Sequence, residues 1–159
     1  MDQTITVSDN TLPAATPPST IDIECGNAAP VGATTIADYL SLPGSVANDN
    51  CTAQASLAVG YSDGSLVGTN CSGTITRTYA ITDLCGNTSY VNQTITVSDN
   101  TLPVATAPST IDIECGNAAP TGATSIGSYL LLSGATANDN CTAQSSLTVG
   151  YSDGSLVGT

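Results

Sequence analysis

The chain has 159 residues, with 13 acidic side chains against a single cation, Arg77, no Lys and no His, for a net charge of −12. This balance excludes nucleic-acid phosphate and anionic membrane as partners, and suits a self-repelling surface or one that gathers divalent cations. No apolar run approaches the ~20 residues of a membrane span, and Phe and Trp are absent, so a core must come from Ile, Val, Leu, Tyr and Cys.

Residues 3–69 return as 93–159 at a constant offset of 90, with twelve substitutions and no gap. A unit of that length can hold its own core, which argues for beads in series over a solenoid of thin repeats. Thr, Val, Ile and Tyr favour strands while 15 Gly and 8 Pro punctuate them, so the expected class is all-β. Segment 1–12 reads as the last strand and seam of a preceding repeat, 13–102 as a complete repeat, and 103–159 as an incomplete second one. Ser8–Pro13 and its copy Ser98–Pro103 are the seams, where proline prevents a strand from simply running on.

In chain order, Ser19–Cys25 predicts a strand with Ile21, Ile23 and Cys25 inward and Asp22 and Glu24 outward. Ala33–Leu42 fits either a strand or a short helix, and Gly127 in the second copy weakens the helix. Ser56–Ser62 predicts a strand with Leu57, Val59 and Tyr61 on one face. Gly73–Thr82 and Ser89–Ser98 alternate around the turn residues Asp83–Asn87, which makes a hairpin. Centring its turn on Cys85 sets Ile75 opposite Ile95, Arg77 opposite Gln93 and Tyr79 opposite Val91. Arg77 is then a lone cation on an apolar face, to be paired with Gln93 or a nearby acid. Strands at this spacing in a unit of ~90 residues predict tandem immunoglobulin-like β-sandwiches.

Six cysteines without a CxxC pair or any His argue against zinc. Four per complete unit predict two disulfides and an oxidising, extracellular setting. With the strand order of an immunoglobulin-like sandwich, Cys25–Cys71 closes at one end and Cys51–Cys85 at the other, out of three possible connectivities. Cys115 and Cys141 are left unpaired within the sequence. No signal peptide is read here, so the export signal of a secreted parent is expected outside this segment. Could residues 3–9 of a neighbour, which equal Gln93–Asp99, complete the second repeat? The strand equivalent to Gly73–Thr82 would still be missing, so a longer tandem array is the stronger expectation.

On the sandwich topology Asp9 and Asn10 at the seam, Asp49 and Asn50 before Cys51, and Asp83 before the turn gather at one end of the repeat. Oxygen ligands converging from three loops suit Ca²⁺. Asp99, Asn100, Asp139 and Asn140 repeat the first two loops. The alternative is that these Asp-Asn pairs are ordinary turn residues bonding to the local backbone. Catalysis has little support. The usual bases are absent, and Asp22 with Glu24 reads as a solvated strand face. Glycosylation sequons, as at Asn50, Asn70, Asn87 and Asn92, are of the kind a Thr-rich chain meets by chance.

Ala47–Cys51, Gly73–Asn87 and Gln93–Pro103 together resemble hyalin-repeat (HYR) modules, and more closely the repeats of SprB-like gliding-motility and surface adhesins of Bacteroidota. The resemblance covers the whole 90-residue unit. It implies an immunoglobulin-like bead in a long cell-surface filament exported by the type IX pathway, serving adhesion or motility and not catalysis. The expected function is therefore a structural stalk, with Ca²⁺ as the candidate cofactor. Its partners would be neighbouring repeats, other filament strands or surface glycans, with no nucleic acid and no membrane insertion. The alternative is a multivalent glycan- or surface-binding module, in which repetition supplies avidity. Most of the twelve substitutions fall in 31–46, so a binding face would avoid that segment or tolerate its variation.

Overall fold

The computed structural model describes residues 1–69 and 71–154, in two compact units, Met1–Ser98 and Asp99–Thr159. The division falls four residues before the expected repeat boundary, and residues 1–12 cluster with unit 1 without forming a strand. Strand outweighs helix, as the composition demands, and among the described residues no helix is long and apolar enough to cross a membrane.

Unit 1 contains strands β1 (Ala14–Thr16), β2 (Ile21–Glu24), β3 (Val46–Asn48), β4 (Ala58–Asp63), β5 (Val67–Gly68), β6 (Ser72–Thr82) and β7 (Thr88–Ser98). The short helix α1 (Ile36–Ser41) precedes β3, and a 3-10 turn, Gln54–Ser56, precedes β4. β1 and β3 form an antiparallel ribbon, while the main sheet runs β2-β7-β6-β4 with β5 also on β6. The β6–β7 hairpin keeps the expected register, with Ile75 opposite Ile95, Arg77 opposite Gln93 and Tyr79 opposite Val91. Its turn is built by Asp83, which accepts backbone N–H groups of Cys85 and Asn87 at 2.8 Å each, and by Gly86, whose φ of +89° only glycine adopts without strain.

The ambiguous segment resolves as helix. Thr35 caps α1 by accepting from the Asp38 backbone at 3.1 Å, a bond that a strand would not offer. Ile36 and Tyr39 then face inward and join Ala33, Ala47, Leu57, Tyr79 and Ile81 in the core. Tyr39 and Tyr79 meet edge to face at 5.1 Å between ring centroids. Tyr39 also donates to the Thr16 carbonyl at 2.6 Å, and burial, with Tyr79 beside it, pushes its phenol up to about 12.

Arg77 is 2 % exposed and solves its burial through Asp63, directly opposite on β4. Its Nε donates to Oδ1 at 2.6 Å and a terminal nitrogen to Oδ2 at 2.8 Å, with a further bond to the Pro30 carbonyl at 2.6 Å. The guanidinium lies 4.7 Å over the Tyr61 ring. Of the two partners expected, the acid is the one found; Gln93 instead donates to the Ser19 carbonyl at 2.7 Å.

β2 runs parallel to β7, Ile21 beside Ile95 and Ile23 beside Val97. Cys25 continues this pairing, its N–H reaching the Ser98 carbonyl at 2.9 Å, while Ser72 lies opposite Ser98 on the other side of β7. Cys25 and Cys71 therefore share an end of the sheet, as expected, but β7 stands between them. Two strand spacings of ~4.8 Å exceed the ~7 Å that a disulfide spans between Cα atoms. The expected Cys25–Cys71 bond is accordingly not formed. Cys71 is a free thiol, whereas Cys25 is buried and oxidised.

Unit 2 repeats only part of this. It has the ribbon β8 (Val104–Thr106) with β9 (Thr136–Asn138), helix α2 (Ile126–Leu130) and the 3-10 turn Gln144–Ser146. Positions equivalent to β6 and β7 fall past Thr159. The copies of β2 and β4, residues 111–114 and 148–153, form no strand although Ile111–Glu114 is identical to β2.

Candidate metal centre

Three local turns build the site in unit 1. At the seam, Asp9 accepts the Thr11 N–H through Oδ1 at 3.1 Å. Before Cys51, Asp49 accepts the N–H groups of Cys51 at 2.9 Å and Thr52 at 2.8 Å, both through Oδ2. In the hairpin turn, Asp83 takes two backbone bonds on Oδ1 and the Asn87 side-chain amide on Oδ2 at 2.7 Å. Each is thus an Asx-type turn residue, as the alternative reading of the sequence held.

The turns also converge. One carboxylate oxygen from each of Asp9, Asp49 and Asp83 lies within 4.8 Å of the other two. Two tethers hold the loops together. Asn87 donates to the Asp9 carbonyl at 3.1 Å, and the Leu84 N–H reaches the Thr52 hydroxyl at 3.2 Å. Ser89 ties the same seam by donating to the Pro13 carbonyl.

Turn formation uses only one oxygen of Asp9 and one of Asp49. Asp9 Oδ2 and Asp49 Oδ1 are buried with no hydrogen-bond partner, a costly state for carboxylate oxygens. Asp83 is 6 % exposed. Desolvation pushes its carboxyl up, but bonds from the Asn87 side chain and from the backbone N–H groups of Asn87, Cys85 and Gly86 hold it below the usual carboxylate range. Three carboxylates with two unmatched oxygens fit a hard divalent cation. Ligands on opposite sides of Ca²⁺, at 2.3–2.6 Å each, are about 5 Å apart, so oxygens within 4.8 Å of one another can share one ion.

Of the other expected ligands, Asn10 is exposed and Asn50 points to sulfur, its amide 3.1 Å from Cys51 Sγ. In unit 2, Asp99 accepts the Thr101 N–H at 3.2 Å, and Asp139 accepts Cys141 at 2.9 Å and Thr142 at 2.6 Å, repeating the first two turns. Asn140 lies 3.1 Å from Cys141 Sγ, as its counterpart does from Cys51. Asn100 stands exposed beside Asp99. Among the described residues this second set has two acidic turns.

Cys51 and Cys85 flank the triad and are both free thiols, so the bond expected between them is not closed here. Burial raises the Cys51 thiol first, then the charges of Asp9, Asp49, Cys85 and Asp83 add to it. The backbone N–H groups of Cys51 and Cys85 bond to Asp49 and Asp83, which places both cysteines beside the carboxylates. Cys115 is a free thiol, but Cys141 is oxidised, which corrects the expectation that it lacks a partner. Asp22 and Glu24 lie along β2, where Thr96 donates to Asp22 across the sheet, a bond typical of an ordinary strand face.

Sequence reasoning missed Asp63. The signal was present, since Leu57, Val59, Tyr61 and Asp63 continue one period-2 face opposite Arg77. Compared with protein-family profiles, with characterised proteins and with solved structures, the chain finds no match.

Proposed function

We propose that the chain is a length of extracellular stalk: immunoglobulin-like beads in series, with a Ca²⁺ held where the seam meets the bead. The observation that carries this reading is the composition of the carboxylate triad. Asp9 belongs to the seam, whereas Asp49 and Asp83 belong to the body of the unit. A cation shared among them would fix the seam's exit direction and limit bending. The near-verbatim 90-residue repeat and the surplus of acids support a filament whose property is length, carried at the surface of a cell in the manner of the SprB-like adhesins. No catalytic role is assigned. In an oxidising setting Cys51 and Cys85 would close into a disulfide that fastens two of the three loops.

Calorimetric titration of Ca²⁺ into the chain, with thermal melting in calcium and in EDTA, tests the site. Extracellular modules bind with Kd of roughly 0.1–1 mM. At about ten times Kd the native state gains ~1.4 kcal/mol, and Asp49→Asn should abolish that gain. Equal melting in calcium and EDTA would remove the cation from the reading. The stalk itself is tested separately by electron microscopy of longer tandem arrays: beads of about 35–45 Å in line support it, and collapsed particles refute it.

A further inference from the structure

The β6–β7 hairpin has two faces, and the core of unit 1 uses one of them. Arg77, Tyr79 and Ile81 turn inward with Gln93, Ile95 and Val97, so the residues that alternate with them look outward. On that outer face Tyr90 is 70 % exposed, whereas Tyr39 and Tyr79 are fully buried. Its surroundings are ordered on three sides. Two residues one way along the hairpin, Thr78 donates to Asn92 Oδ1 at 2.9 Å. Two residues the other way, the hydroxyls of Thr82 and Thr88 share a bond of 2.9 Å. Both pairs join directly opposite positions of β6 and β7, so the strand ladder holds them as well. Across from Tyr90 stand Ala80 and then Gly60, where a Cβ would meet nothing within 4 Å. One flank of the ring is therefore open, and fixed hydrogen-bonding groups lie beyond it at either end.

We propose that this outer face binds a neutral polysaccharide, one pyranose ring stacking on Tyr90 between the Thr78–Asn92 and Thr82–Thr88 pairs. A tyrosine ring offers an apolar surface to the C–H face of a sugar and a hydroxyl to its polar edge. With its oxygen engaged by Thr78, Asn92 keeps its amide N–H groups to donate outward. Thr82 and Thr88 use one hydroxyl hydrogen between them and keep the other. At ~3.4 Å per residue the two pairs stand about 14 Å apart, so a chain of linked rings meets polar groups on both sides of the stacked one.

Charge selects the class of sugar. A chain with a net charge of −12 repels uronic and sulfated glycans. None of the residues around Tyr90 is charged, so a neutral ring can settle there without desolvating an ion. The acids on this face of the sheet, Asp22 and Glu24, lie beside Thr96 and Ser98, at the far end of β7. One aromatic anchor on an open face binds weakly, with Kd on the order of 1 mM. Where repeats follow one another, the same face on each would raise the overall affinity by roughly 10²–10⁴. The inference goes beyond the stalk reading, because the site lies within one unit and needs neither the array nor the cation.

The test is an amide chemical-shift titration of the full chain with neutral hexasaccharides of β-linked glucose, α-linked mannose and β-linked galactose, beside an oligogalacturonate of the same length. At least one neutral sugar should shift amides 78–82 and 88–92 with Kd of about 1 mM, and the acidic one should not. Tyr90→Ala should weaken that binding at least ~10-fold and Asn92→Ala ~3-fold, whereas Tyr90→Phe should keep it because stacking survives. Both positions are exposed, so an unchanged melting midpoint shows that unit 1 is intact in each variant. No shift with any neutral sugar at about 10 mM, shifts confined to other residues, or binding indifferent to Tyr90→Ala would overturn the proposal. Binding should persist in EDTA, so this face and the calcium seam succeed or fail separately.

Discussion

Arg77 shows how one buried charge organises its surroundings. The guanidinium is buried, so Asp63, the Pro30 carbonyl and the Tyr61 ring take the place of solvent. Gly32 belongs to the same arrangement, since a Cβ there would lie 2.6 Å from the Tyr61 ring. Removing one partner of such a pair strands the other. Asp63→Asn should therefore cost on the order of 3 kcal/mol, read as a lower denaturation midpoint. Hydrogen bonding from Arg77 holds the Asp63 carboxyl below its ordinary value of 3.8, against desolvation and with help from the cation's charge. A depressed carboxylate stabilises the fold above its unfolded value and ceases to do so as pH falls through the folded one. Melting temperature should hold from pH 7 to about 4 and drop below that, and the drop should be shallower in Asp63→Asn. Tyr39 acts in the opposite direction. Its raised phenol stabilises the fold fully below pH 10, and that contribution is lost as pH rises toward 12. Tyr39→Phe, losing the bond to the Thr16 carbonyl, should cost about 1 kcal/mol.

Among the elements, the β6–β7 hairpin was the most legible in the sequence. Alternation fixes which face is apolar, a slip of one residue would invert it, and Asp83 and Gly86 centre the turn. Helix α1 was only half legible. Thr35 and Asp38 carry the capping signal, but six residues of apolar-polar sequence satisfy either period. In the second copy Ser125 and Ser128 restore the cap as a reciprocal capping box, so α2 forms despite Gly127. The parallel β2–β7 pair was not legible. A strand's sequence says which face is buried but not which neighbour lies at its edge. The assumption that Cys25 and Cys71 could touch failed for that reason. The hairpin is also the element that closes the core. Ile81→Ala should cost roughly 2–5 kcal/mol by opening a cavity against Ile36 and Leu57, seen as lost cooperativity in chemical unfolding.

At the scale of the whole molecule, the two units form a controlled comparison within one chain. Ser19–Cys25 and Ser109–Cys115 are identical in sequence, yet only the first contains a strand. Tyr39 is fully buried, whereas α2 buries none of its residues. Hydrogen exchange should therefore find unit 1 amides in β6 and β7 protected to the level of global unfolding, with most of unit 2 exchanging by local opening. Equal protection in both units would contradict this picture. By itself the sequence determined what is local: the turn chemistry at Asp9, Asp49, Asp83, Asp99 and Asp139, and the hairpin register. These depend on contacts between residues close along the chain and recur wherever the residues recur. Only the tertiary structure decided the convergence of three distant carboxylates, the choice of Asp63 for Arg77, and whether the β2 and β4 sequences become strands at all. The last is the clearest case, because a strand's backbone groups are satisfied only by a neighbour. Where β6 and β7 stand alongside, the sequence folds as β; in unit 2, where no such neighbour is present among the described residues, the same residues do not.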